Sequence, residues 1–164
     1  MEAQPFTLHD QDGAPQLTGA IAGGKLEGAV RIYERGAAQA SLQFADGLQD
    51  GPSIILYGPH RPMARTHYRA GRLHGPAQFY SPEGKLVRTT VYANGLLHGV
   101  QQDFYADGAL FEQGAYRMGA REGVWEKYHR NGVVMERRSY RADLPAGAPA
   151  WFDERGVRLA PAHP

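Results

Sequence analysis

Histidines are the first candidates for chemistry in this chain, and two of its seven repeat a context. His74 lies in GRLHG (71–75) and His98 in GLLHG (95–99). Imidazole ligates metals and moves protons near neutral pH, so a recurring Leu-His-Gly raises a two-histidine metal or catalytic site. His60, His67, His129 and His163 form no H-x-x-x-H pair. Ser53 follows Gly51-Pro52, but no G-x-S-x-G elbow holds a nucleophilic serine, and no G-x-x-x-x-G-K-[ST] loop cradles phosphate. No carboxylate pair stands out from its background. The chain has no cysteine, which excludes disulfides, thiolate nucleophiles and cysteine-ligated zinc or iron–sulfur sites.

The elements that must position these side chains come from an internal repeat. Glycines stand at 47, 71, 95 and 119, each 24 residues after the last. A second series follows at Gly51, Gly75, Gly99, Gly123 and Gly147, and a third at Gly84, Gly108, Gly132 and Gly156. Phe44, Tyr68, Tyr92, Tyr116 and Tyr140 close successive units at the same spacing. A further large residue recurs at Tyr33, Leu56, Tyr80, Phe104, Tyr128 and Phe152. The copy from Gly24 is one residue short, and the copy from Gly47 has His60 in place of its turn glycine.

Segments of about eight residues between glycines are too short for stable helices and suit strands. LVRTTVY (86–92) and VVMERRSY (133–140) are rich in β-formers. Asp107-Gly108 and Asn131-Gly132 sit between apolar runs as hairpin signals, and Asp46-Gly47 and Asn94-Gly95 mark return turns. The expected fold is all-β. It is a repeat array of antiparallel β-hairpins with a 24-residue period, about twelve strands in one elongated, twisted sheet, open or curled. Residues 1–22 read as an N-terminal half-repeat and cap. Residues 23–142 read as five hairpin repeats, and 143–164 as a C-terminal half-repeat with a proline-rich cap, all in one domain. Alternation puts Leu86, Leu110 and Val134 on the face of the closing tyrosines, an apolar ridge, with Arg65, Thr89, Gln113 and Arg137 opposite.

On this register His74 and His98 occupy one column, which holds Glu27, Asp50, Glu122 and Ala146 in other copies. Equivalent positions in stacked hairpins lie roughly 10 Å apart. Zinc–nitrogen bonds are only ~2.0–2.1 Å long, so the two rings cannot share a metal. The reading is a polar loop column, with no metal, cofactor or catalytic site expected.

Net charge is +1, but its distribution is uneven. Residues 1–50 carry 3 Lys/Arg against 7 Asp/Glu, residues 51–100 carry 6 against 1, and residues 101–164 carry 9 of each. The basic middle is Arg61, Arg65, Arg69, Arg72, Lys85 and Arg88. Such a stretch is a solvated face or a docking patch for an acidic partner or anionic lipid. Tyr68, Tyr80 and Tyr92 interleave with it in a way that can stack bases, but the low overall charge argues against nucleic acid. The longest aliphatic run, Ile54-Ile55-Leu56, is far below the ~20 residues of a membrane span. The N-terminus shows no basic-then-apolar leader, and a cytoplasmic location is expected.

The units GKLEG (24–28), GLQDG (47–51), GRLHG (71–75), GLLHG (95–99) and GAREG (119–123), with GVWEKYHRNG (123–132), resemble MORN repeats. More closely they resemble the bacterial MORN-variant repeats of the YwqK-type antitoxin family, over roughly residues 23–158. Only Trp125 keeps the tryptophan of the longer-known Y-x-G-x-W pattern. The resemblance implies a non-enzymatic binding protein, an antitoxin or immunity-type module that neutralises a partner toxin. The alternative is a scaffold or membrane-surface adaptor. Candidate partner contacts are Arg61, Arg65, Arg72, His74, Arg88, His98 and Tyr105. If the partner is itself basic, the acidic first third is the better surface.

Overall fold

The repeats from Gly24, Gly47, Gly95 and Gly119 fold as antiparallel β-hairpins, and there is no helix among residues 2–160, which the computed structural model describes. Twelve strands of six to nine residues carry the hairpins, as the repeat count predicts; five two-residue strands stand at their return ends, and a sixth closes the chain's last half-hairpin. Contacts divide the chain into two units, Met1–Gly84 and Lys85–Pro164.

The first unit holds β1 (Gln4–His9), β2 (Pro15–Ala22), β3 (Lys25–Leu26), β4 (Gly28–Glu34) and β5 (Ala37–Ala45). It continues with β6 (Leu48–Gln49), β7 (Gly51–Gly58), β8 (Arg61–Arg69), β9 (Arg72–Leu73) and β10 (Gly75–Tyr80). The second holds β11 (Leu86–Ala93), β12 (Leu96–Leu97), β13 (Gly99–Phe104) and β14 (Leu110–Arg117). It ends with β15 (Ala120–Tyr128), β16 (Val134–Arg141), β17 (Leu144–Pro145) and β18 (Ala150–Trp151).

The two ends of a hairpin use different turn chemistry. At the return end both central residues are left-handed: Asp46 and Gly47 at φ 52° and 81°, Met118 and Gly119 at 53° and 88°. That is the two-residue type I′ turn, whose twist matches the strands it joins. At the other end of the regular hairpins only the glycine is left-handed, as at Gly108 and Gly132; the turns at Arg35–Gly36 and His60 depart from this. In the regular turn Gly108 N–H donates to Tyr105 O at 2.9 Å, and the Asp107 carboxylate accepts from Ala109 N–H at 3.1 Å. Asn131 does the same for Val133 N–H.

A β-bulge precedes that turn in hairpin after hairpin, with register shifts at Ile32/Tyr33, Ile55/Leu56, Asp103/Phe104 and Lys127/Tyr128. The recurring large residue therefore marks the bulge. Its extra residue breaks strict alternation and sets Leu110 opposite Phe104 and Val134 opposite Tyr128. The expected placement of Leu110 and Val134 beside the tyrosines fails for this reason.

Burial concentrates on one face. Val30, Ser53, Ala77, Gln101 and Trp125, one repeat column two residues past the second glycine, are all buried. Ala40, Ala64, Thr66, Thr90 and Glu136 join them. Among the described residues no large side chain is fully buried, so backbone ladders and same-face rows hold the array rather than a deep core. The closing aromatics line this face, but in the second unit Trp125 is interposed. Its ring meets Tyr116 edge-on at 5.1 Å and Tyr140 at 6.4 Å. Gly114 makes room for it, since a Cβ there would lie 2.1 Å from the indole.

Candidate functional site

The histidine column proves to be a structural tie. At the return end, the side chain before the second glycine accepts a hydrogen bond from the left-handed residue of the next return turn. Asp46 N–H donates to Glu27 Oε2 (3.0 Å), Ala70 N–H to Asp50 Oδ2 (2.9 Å), Met118 N–H to His98 Nδ1 (3.4 Å) and Ala142 N–H to Glu122 Oε2 (2.9 Å). Glu, Asp and neutral His share one property here, an acceptor at the right reach. A backbone bond runs alongside: Gly47 N–H donates to Leu26 O, Gly71 N–H to Gln49 O and Gly119 N–H to Leu97 O. His74 Nδ1 is buried without a hydrogen-bond partner.

The opposite end has its own ties. The Tyr57 hydroxyl donates to Tyr80 O at 3.2 Å and the Tyr105 hydroxyl to Tyr128 O at 2.7 Å, while His129 Nε2 lies 2.9 Å from Phe152 O. Tyr105 also meets Phe111 edge-on at 5.0 Å and carries the Arg130 guanidinium 4.7 Å above its ring. These ties explain why a polar tip recurs one residue past the bulge column.

The seven predicted contact residues are shared between the two units. Arg61, Arg65, Arg72 and His74 belong to the first unit, and Arg88, His98 and Tyr105 to the second. Arg61, Arg65 and Arg72 are exposed. Arg88 forks onto the Asp103 carboxylate, which raises its pKa. His98 and Tyr105 hold hairpin ends together.

What the sequence reading missed is a contrast between the units on the tyrosine face. In the first, cross-strand partners run Leu8, Leu17, Ile32, Ala40, Ile55, Ala64 and Phe79, an unbroken apolar row. Leu8, Ile32 and Ile55 remain 55%, 38% and 42% exposed. In the second, the same columns hold Arg88, Asp103, Glu112, Lys127 and Glu136, ending opposite Trp151. The columns were legible from the 24-residue register. Their composition in each half was the available signal.

That ionic row is the arrangement nearest to acid–base machinery. Burial pushes the Glu136 carboxyl up, but hydrogen bonds from Arg138 and Lys127 outweigh it and hold the pKa below the ordinary value. Lys127 Nζ lies 3.1 Å from Glu136 Oε2. Glu112 is half-buried, and desolvation raises its pKa, opposed by Lys127. The cavity they line with Trp125 and Tyr140 is only about 180 Å³, below the ~300–1,000 Å³ of ordinary ligand pockets. On the other face the Tyr128 hydroxyl accepts from Gln113 Nε2 at 2.6 Å and donates to Glu126 at 2.7 Å. Burial and that carboxylate push its pKa up to about 12. Arg137 pairs with Glu126 at 2.8 Å. Apart from Glu112, the charges of both clusters are paired. Among the described residues no group of three or more His, Asp or Glu could hold a metal ion, and no helix is long and apolar enough to cross a membrane.

Hairpins of one period, tied at both ends, define an all-β repeat protein. The family model described as MORN repeat variant matches residues 73–94 and 121–142, so MORN-type repeats stand at these two places. No curated protein matches the chain significantly. Among solved structures, a crystal structure of TarM is 12% identical, with a TM-score of 0.33, over 68% of this chain and 19% of that one. A mutant of S. aureus TarM in complex with fondaparinux, alpha-GlcNAc-glycerol and UDP is 10% identical, with a TM-score of 0.31, over 79% and 22%. The chain thus spans about a fifth of the length of these structures.

Proposed function

We propose that this chain is a non-enzymatic, protein-binding repeat module. Its partner is a toxin, which it neutralises in the cytoplasm by covering the toxin's working surface. The observation that supports binding is the apolar row of the first unit, with Leu8, Ile32 and Ile55 open to solvent. Exposed apolar patches of this kind mark interaction sites, and neutralisation needs buried area rather than catalytic groups. The MORN-variant matches favour a binding or scaffolding role, and the toxin as partner follows from the resemblance to the YwqK-type repeats. Apart from Glu112, the charged groups of the second unit's clusters are paired with one another, which favours a role without catalysis.

The test is capture from the native host, followed by co-expression with the captured protein. Wild-type chain is expected to retain a partner that arrests growth when expressed alone, and to restore growth when co-expressed. Ile55→Glu, which puts a charge in the middle of the apolar row, is expected to lose capture and rescue while remaining folded. Full rescue by that variant removes the row as the binding face. A partner without growth effect removes the toxin.

A further inference from the structure

The opposite face of the first unit carries a second feature. A cleft of about 710 Å³ opens there over β5 and β7. Its floor includes Ile54, Leu56 and Pro62, and Arg31, Arg35, Arg65 and His60 stand around it. No carboxylate is among the described residues that line it, and none of the three arginines forms an ion pair with a described residue. Three acidic residues of this unit are engaged at the other end of the hairpins, while Glu34, next to Arg35, is exposed at the cleft end. Glu27 and Asp50 accept backbone hydrogen bonds there, and Asp46 faces Lys25 at 3.6 Å.

Two departures from the repeat meet at this cleft. The copy from Gly24 is one residue short and closes in a tight Arg35–Gly36 turn, with Arg35 left-handed at φ 49°. The next copy lacks its turn glycine and closes through Pro59 and a left-handed His60 at φ 60°. Arginine and histidine with their Cβ in that region cost on the order of 1–2 kcal/mol each relative to glycine. Both atypical turns line the cleft.

The cross-strand register gives the spacing. Arg31, Ser41, Ile54 and Arg65 are successive partners across β4, β5, β7 and β8. Three strand spacings put the two arginine backbones about 14–15 Å apart, the reach of roughly four residues of extended chain. Between them the floor is apolar. We propose that this cleft binds an extended acidic peptide segment of a partner protein. Two carboxylates about four residues apart reach Arg31 and Arg65, an apolar side chain between them sits over Ile54 and Leu56, and Arg35 and His60 face the segment from the turns. Guanidinium forks suit carboxylates, which selects acidic side chains over neutral amides. The segment's source rests on the protein-binding reading, but the cleft lies on the other face from the apolar row.

Fluorescence anisotropy of the full chain with a labelled Gly-Glu-Gly-Leu-Gly-Glu-Gly peptide tests this. Wild type is expected to bind it, and the peptide with Gln for both Glu is expected to bind at least about tenfold more weakly, as is the Leu-to-Gly peptide. Arg31→Glu with Arg65→Glu is expected to lose binding by at least about tenfold, whereas Arg141→Glu in the second unit and Ile55→Glu on the other face leave it unchanged. Equal loss with Arg141→Glu reveals unspecific charge attraction and overturns the proposal. So does equal binding of the Gln peptide. Binding only to phosphatidylserine vesicles, with no peptide binding, assigns the arginines to a lipid surface and overturns it too. Loss of partner capture in Ile55→Glu together with unchanged peptide binding in Arg31→Glu/Arg65→Glu leaves the protein-binding reading standing and removes the cleft alone.

Discussion

His98 shows how a side chain with catalytic credentials serves architecture. Its Nδ1 must be unprotonated to accept from Met118 N–H, so the proton of the neutral ring sits on Nε2. Its column neighbours Glu27, Asp50 and Glu122 do the same with carboxylates. Glu112 is the residue at odds with its surroundings. Asp103 beside it is taken by Arg88 and Gln101, and Lys127 by Glu136, so Glu112 is left half-buried with a raised pKa. A carboxyl that holds its proton more tightly when folded adds stability below its ordinary value of 4.5 and loses it as pH rises through the folded value. Glu112→Gln is therefore expected to raise the melting temperature at neutral pH, and the gain should vanish below about pH 4.5. Glu126 and Glu136 have the opposite sign. Their pKa values are depressed, so their contribution is present above the ordinary value and is lost as pH falls through the folded one. An equal effect of Glu112→Gln at pH 3 and pH 7 removes the burial argument.

Among the elements, the return turns are the most exacting. Both central residues need positive φ, and Asn94-Gly95 satisfies this with the residues type I′ turns prefer. Met118 occupies the same position at φ 53° with its side chain exposed. Met118→Asn keeps the N–H that donates to His98 and relieves the strain, so it is expected to stabilise by up to about 1 kcal/mol. Urea unfolding checks it, and a lower midpoint contradicts it. Much of this level was readable from sequence. The glycine columns located turns, and the β-branched runs located strands, because turn φ and strand alternation are local requirements. The bulge before each hairpin turn was not readable, although the column of large residues marked it. A bulge is settled by how two strands share one ladder, and Asp103, Glu112 and Leu110 differ only in which partner they meet.

At the scale of the whole molecule, repeats contact their neighbours, so damage should stay local. Gly114→Ala drives a methyl into the Trp125 ring and is expected to cost about 1–3 kcal/mol. Hydrogen exchange should then quicken in β13 to β16 while amides of β1 to β7 keep their protection. Uniform loss of protection along the chain would show that both units open together. The same locality lets the two units carry different chemistry on one repeat frame: an apolar row in the first, a row of charged residues of both signs in the second.

The sequence by itself determined the period, the all-β class, the turn positions and the existence of a polar column before the second glycine. Each follows from a requirement met within one hairpin: positive φ, strand length or alternation. The tertiary structure alone decided what those columns do. The polar column ties one turn to the next, Trp125 enters the aromatic ladder through the space left by Gly114, and two irregular turns close around one cleft. Those outcomes depend on contacts between residues some 11 to 25 positions apart. Such contacts exist only once neighbouring hairpins stack, because the distance between columns is set by strand pairing and not by the chain between them.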